Sequence, residues 1–216
     1  MRPGKTVGGG WRAGLIVLLV LLLPSCRAKL SPFDAYDGDF WLPRDKVLVV
    51  GNVQIHGLDH RVEFLSLITS HRRISTAFPD YSRREVRKNW IPPHQSQYQY
   101  HQALKNGKNP FFFIEVEKRP LYVYQVEALW FSREKEMKYI RTFPVRLQID
   151  FGPNARAVYI GNIHIDYDKG ENDSTITVKT DLAAAQEVLE REFGSDLKLV
   201  HVAPQEVSIL RPLHIR

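Results

Sequence analysis

The chain predicts a mainly β fold, a β-sandwich or open barrel with one C-terminal α-helix packed on it. Three observations carry that expectation. Short apolar runs rich in Val, Ile, Tyr and Phe recur between Gly, Pro and Asn, the pattern of strands bounded by turns. Val145, Leu147, Ile149 and Phe151 alternate with Arg146, Gln148 and Asp150, which puts one face of a strand in a core and the other in water. One stretch alone, after residue 181, carries a convincing helical stripe. Hydrophobic residues make up 44% of the chain and aromatics 11%, enough for one domain's core, and a single cysteine leaves stability to packing rather than to a disulfide within the chain.

Taken in order, residues 30–45 set Asp34, Asp37 and Asp39 among Gly38 and aromatics without a strand or helix period, and read as a tether. Strands are expected at 46–56, 61–68, 111–118, 121–131, 137–142, 145–151, 156–166 and 174–180, with a less regular one at 197–203. Gly152-Pro153-Asn154 turns 145–151 into 156–166, and Lys169-Gly170-Glu171-Asn172-Asp173 turns the chain back into 174–180. These three strands are expected to form a meander. Residues 70–110 read as an insertion. In it, Ser82 and Glu85 form a capping box that opens a short basic helix to Trp90, and Pro92 and Pro93 end it. The Gln- and Tyr-rich residues 92–110 have no clear period and read as a long surface loop. Asp181 caps the helix 182–193, Leu182, Ala185, Leu189 and Phe193 form its apolar stripe, and Gly194 stops it.

Two segments are near copies: Val50-Gly51-Asn52-Val53-Gln54-Ile55 and Ile160-Gly161-Asn162-Ile163-His164-Ile165. In the second, apolar positions are even before the glycine and odd after it. A β-bulge at Gly161 explains the change of phase, because one extra residue re-aims every later side chain. The copies read either as a pair of related sheets or a shared binding edge, or, more simply, as two strands that turn a corner.

Several groupings could carry chemistry. Asp166, Asp168, Glu171, Asn172 and Asp173 place oxygen donors on one hairpin, and Asp166, Asp168 and Asp173 are its candidate calcium ligands. The Asp-x-Asp-x-Gly start lacks the remaining ligands of a calcium loop, so a solvated turn is the stronger reading. His164, Asp166 and Asp168 share a strand face that could meet a transition metal, and His56 and His60 have a zinc-like spacing interrupted by Gly57. Both are weaker than the plain structural reading, and no metal or cofactor is assigned. Gly-x-Ser-x-Gly, His-Glu-x-x-His and P-loop motifs are absent from the sequence, so a non-catalytic role is expected. Arg72, Arg73, Arg83, Arg84, Arg87 and Lys88 bracket Phe78, Tyr81 and Trp90. Of these, Arg83, Arg84, Arg87 and Trp90 are the candidate contacts for anionic headgroups or glycan, against the simpler reading of a solvated face.

The N-terminus gives an address. Arg2, Lys5 and Arg12 precede the apolar run 13–23, which is shorter than the ~20 residues a membrane-spanning helix needs. The run ends in Leu23-Pro24-Ser25-Cys26, and Cys26 is the only cysteine in the chain. This resembles the lipobox of bacterial lipoproteins, with Pro24 as its departure. The resemblance implies cleavage before Cys26, diacylglycerol on its sulfur and a further acyl chain such as palmitate on the new amino terminus. Arg27 in the next position favours outer-membrane sorting. Residues 1–25 are then a signal peptide, 26–45 a lipidated tether, 46–203 the β-sandwich and 204–216 a C-terminal tail. Arg2, Lys5 and Arg12 carry half of the formal net charge of +6, so the mature chain is not basic enough to suggest nucleic acid.

The lipobox, the Gly-bulged strands and the late helix together resemble bacterial β-sandwich lipoproteins of a transthyretin-like or carboxypeptidase-regulatory-like kind. That resemblance implies a membrane-anchored, non-catalytic binding or assembly module of the cell envelope, with an envelope protein or a glycan as partner. The alternative is a glycan-active or peptidoglycan-processing envelope enzyme, which requires ionisable groups converging in a cleft.

Overall fold

The computed structural model describes residues 42–58, 61–73, 86–93, 96–132, 137–194 and 197–207, and these are mainly β. The elements are β1 (Lys46–His56), β2 (Phe64–Ser70), β3 (Val86–Ile91), α1 (Gln97–Lys105), β4 (Phe112–Glu117), β5 (Leu121–Ser132), β6 (Met137–Ile149), β7 (Ala157–Asp168), β8 (Asp173–Lys179), α2 (Leu182–Phe193), β9 (Leu199–His201) and β10 (Gln205–Glu206). One sheet has the order β4-β1-β7-β8, with β9 also paired to β7, and the other has the order β10-β6-β5-β2-β3. The predicted β-sandwich with a late helix is the observed architecture.

The two near-copy segments lie side by side. β1 and β7 run parallel, and Asn52 opposes Asn162, Val53 opposes Ile163 and Gln54 opposes His164. Both strands are buried over almost their whole length, as parallel strands covered on two faces are. Val47, Val49, Val53 and Ile55 share one face with Val158, Ile160, Ile163 and Ile165, and all are buried. Tyr167, further along that face of β7, meets Phe143 of the second sheet edge-on. On the opposite face Leu48, Val50, Ala157 and Tyr159 pack with Tyr100 of α1 and with Ala185, Val188 and Leu189 of α2. The first sheet is thus a middle layer between the second sheet and the helices. Each large aliphatic side chain it buries contributes roughly 1.5–3 kcal/mol.

The two glycines serve different purposes. Val50 opposes Tyr159 and Asn52 opposes Asn162, so Gly51 alone faces both Ile160 and Gly161, and the bulge lies on β7. Gly161 has φ +91°, and a Cβ there would lie 2.5 Å from Val178 Cγ1 and 3.0 Å from the Lys179 carbonyl oxygen. Gly51 has no such backbone demand. It is small because a Cβ would lie 2.6 Å from Phe112 Cζ and 2.9 Å from Ile160 Cγ1. The bulge therefore resets the phase of β7, and the missing side chain on β1 makes room for it.

Five sequence expectations are corrected. The residues read as a basic helix ending at Trp90 form, from Val86 on, the edge strand β3 paired with β2, burying Val86 and Ile91 and leaving Arg87 and Lys88 exposed. Cations on an edge strand deter further pairing, so their charge is as consistent with strand as with helix. Within the expected surface loop 92–110 lies α1, capped by Ser96, whose side chain accepts from the Gln99 amide at 3.2 Å. Its buried contribution is confined to Tyr100 and Ala103, too few positions for a visible period. The expected strands 137–142 and 145–151 are one strand, β6, with Pro144 opposite Gln125 and the following bulge at Arg146, φ 55°. Finally, 145–149 and β7 belong to different sheets, so the turn after residue 151 carries the chain between layers, and only β7 and β8 form the expected hairpin. The residues read as a tail also contribute β10, paired with β6.

Replacing Gly161 with Val should destabilise the protein by about 1–3 kcal/mol, from forced positive φ and from the contact with β8. Urea unfolding measures this, and an unchanged midpoint would contradict the bulge assignment.

Candidate functional site

Cys26, Asp59, His60, Arg83 and Arg84 lie outside the described residues. The acidic hairpin lies inside them, and Asp168, Asn172 and Asp173 each spend a side-chain oxygen on hydrogen bonds within the protein. Asp168 Oδ1 accepts from the Gly170 amide at 2.7 Å and the Glu171 amide at 3.2 Å, and Asp173 Oδ1 accepts from the Ser174 amide at 2.7 Å. Asn172, at φ 54°, accepts through Oδ1 from Arg141 Nη1 at 2.7 Å and from the Tyr167 hydroxyl at 3.1 Å. The Arg141 guanidinium also lies over the Tyr167 ring, 4.4 Å from its centroid. Asp166 sits lower on β7, exposed, in register with His56. Among the described residues no group of three or more His, Cys, Asp or Glu side chains could hold a metal ion.

β3 separates the two described candidate contacts for headgroups or glycan. Arg87 and Trp90 fall on opposite faces of the strand, by the alternation of β pleating. Lys88, on the Trp90 side, pairs with Glu127 at 2.6 Å and lies 5.0 Å from the Trp90 ring centroid.

The polar groups that do converge lie on the helix-facing side of β1 and β7, further along the two strands than Leu48, Val50, Ala157 and Tyr159. There Asn52, Asn162 and Lys179 form one row across β1, β7 and β8, followed by Gln54, His164 and Thr177, then by His56, Asp166 and Thr175. Asn52, Gln54, Asn162 and His164 are all buried. Asn162 is satisfied through the core. Its Oδ1 accepts from the Tyr159 hydroxyl at 3.0 Å, and that oxygen accepts from the Asp181 amide at 3.0 Å. Asp181 in turn accepts from the Tyr100 hydroxyl at 2.8 Å and caps α2 through Oδ1. Burial pushes both phenols up, Tyr159 to about 12, so each keeps its proton and donates.

The neighbouring groups are not satisfied in this way. Asn52 Nδ2 donates to the Pro110 carbonyl, but its Oδ1 and both amide atoms of Gln54 are buried without a hydrogen-bond partner among the described residues. His164 stacks on His56 with ring centroids 5.9 Å apart and planes within 10°. Burial lowers its pKa to about 4, helped by Lys179 and His56 and opposed by Asp166. At neutral pH the buried groups of the panel are therefore two carboxamides and a neutral imidazole beside Asn162. Such a set forms hydrogen bonds in both directions, and an imidazole with so low a pKa is a weak base near neutrality.

Sequence reasoning had noted His56 and His164 separately as weak metal candidates and passed over Asn52 and Gln54. The signal was present in the near copies, since both place a polar residue one and three positions after the glycine. Reading them as neighbours in register would have assembled the panel. Compared with family models, with curated proteins and with solved structures, the chain matches none.

The histidine gives the panel a pH signature. The unfolded chain protonates His164 near 6.5 and the folded protein only near 4. The stability contributed by keeping it neutral is complete above pH 6.5 and is lost as pH falls toward 4, by up to about 3 kcal/mol. Urea midpoints measured between pH 7 and 4 should show this decline, and His164→Gln should flatten it; an equally steep decline in the variant would assign the effect elsewhere.

Proposed function

We propose that the protein is a lipid-anchored module of a bacterial cell envelope that binds a neutral, polar ligand without catalysis at the Asn52, Gln54 and His164 face of its first sheet. The observation that carries the binding site is the burial of Gln54 with neither amide atom hydrogen-bonded, next to a second unsatisfied carboxamide and a neutral imidazole. Each buried, unpaired polar group costs about 1–3 kcal/mol, and three of the four such side-chain atoms among the described residues fall on Asn52 and Gln54, two positions apart on one strand face. A ligand with hydroxyl or amide groups supplies what they lack. The buried members of the panel supply hydrogen bonds but no counter-charge, which suits an uncharged ligand better than an ion.

Two experiments test the two halves of the proposal. Replacing Gln54 with Met keeps the side-chain volume and removes the unsatisfied amide. It should raise stability by about 1–3 kcal/mol in thermal or urea unfolding. A loss of stability would mean that the amide is satisfied within the protein and that the site reading is wrong.

The anchor is supported by Cys26 closing Leu23-Pro24-Ser25-Cys26 after an apolar run, with outer-membrane sorting favoured by Arg27. Two or three acyl chains hold a protein stably, at roughly 0.8 kcal/mol per buried methylene. Cys26→Ser should abolish incorporation of labelled palmitate and leave a soluble or uncleaved chain. Continued labelling of that variant would remove the anchor.

A further inference from the structure

The outer face of the second sheet carries an apolar row. Phe64 on β2 opposes Leu129 on β5, which opposes Ile140 on β6, and in the next row Phe131 opposes Lys138. Phe64 is 53% exposed, Ile140 60% and Phe131 40%. Trp90 on β3, 50% exposed, meets Phe64 edge-on with ring centroids 5.9 Å apart. The alternate residues Leu65, Leu67, Val126 and Phe143 point to the core, so the exposed set belongs to a single, outward face.

We infer that this face rests on the surface of the bilayer that holds the lipid anchor. The inference builds on the anchored reading above. The side chains are those that favour a membrane interface: a tryptophan, two phenylalanines and an isoleucine, with Lys88 and Lys138 at the margins. Glu127, the carboxylate on the same face, is neutralised by Lys88 at 2.6 Å and accepts from Gln125 at 3.1 Å, so it does not repel anionic headgroups. A glycan needs exposed polar arms to read its hydroxyls, and here Lys88 and the Gln125 amide both donate to Glu127 while Gln125 and Glu127 are themselves buried. Lys138, opposite Phe131 at the margin of the patch, is complemented by anionic headgroups, whereas a second copy would have to bring it a carboxylate, and Glu127 on this face is already paired with Lys88.

A patch of this size binds a membrane weakly by itself. The anchor changes that, because docking becomes an intramolecular event at high effective concentration. The roughly 16 residues from Cys26 to Leu42 can span on the order of 50 Å, so the tether leaves every face of the domain within reach of the bilayer and the patch selects one.

The test uses the full chain, produced with its leader in a lipoprotein-processing bacterium and reconstituted into phosphatidylethanolamine and phosphatidylglycerol vesicles with brominated acyl chains. Subtracting the emission of Trp90→Phe from that of the unsubstituted chain isolates Trp90. We expect Trp90 to be quenched by shallow bromines, and Ile140→Asp to relieve the quenching while the chain still floats with the vesicles. Phe131→Gln repeats the test without adding charge. A chain that takes up palmitate and floats, yet leaves Trp90 unquenched, overturns the docking and keeps the anchor. A chain that neither takes up palmitate nor floats overturns the anchor and the docking with it. Trp90 shielded from aqueous iodide but not quenched by bromine, in a chain that migrates as a dimer, overturns the inference in favour of a second copy.

Discussion

The parallel pairing of β1 with β7 is the constraint from which most of the structure follows. A parallel pair cannot be joined by a hairpin, and strands covered on both faces must be apolar on both. The chain meets the first condition by placing β2, β3, β5 and β6 of the second sheet between the two strands in sequence. It meets the second by laying that sheet against one face and α1 and α2 against the other. Removing the second sheet exposes a row of Val and Ile side chains, and removing the helices exposes Leu48, Val50 and Tyr159, so neither layer can be treated as an appendage.

The bulge at Ile160 and Gly161 lets one strand answer to two different neighbours. Before it, β7 pairs with β9, and after it with β8, so the two short strands share a flank of β7 without competing for the same backbone groups. The same change of phase keeps Val158, Ile160, Ile163 and Ile165 on the core side and brings Asn162 and His164 to the other. Core packing and the polar panel are therefore consequences of one backbone irregularity. The panel could not be reached by a regular strand without turning isoleucines toward the helices.

Much of this was legible in the sequence where a local rule applies. The helix 182–193 is bounded by its own cap and stop residues, and the alternation around Val145 to Ile149 reports a half-buried strand. The flip of apolar phase at Gly161 announced its positive φ. What could not be read is what depends on partners distant in the chain. Tyr100 is buried because Phe111, Tyr159 and Asp181 surround it, and nothing in the polar residues around it signals that. Basic β3 becomes a strand because β2 offers it an edge. The turn after Phe151 has hairpin chemistry, yet the chain crosses to another sheet there, because the place beside β7 belongs to β1. The panel escaped for the same reason: its members are ordinary singly, and only the pairing register makes them neighbours.

Asp181 ends β8's outward path and begins α2, and its carboxylate holds the hydroxyl of Tyr100 on α1 while its own backbone amide holds Tyr159 on β7. Three elements from distant parts of the chain thus meet at one residue. Two helices that never touch in sequence are thereby tied into one cooperative unit, and loosening the cap of one releases the grip on the other. Fraying at the start of α2 therefore frees the Tyr100 and Tyr159 hydroxyls together, and through Tyr159 it reaches Asn162 at the edge of the polar panel.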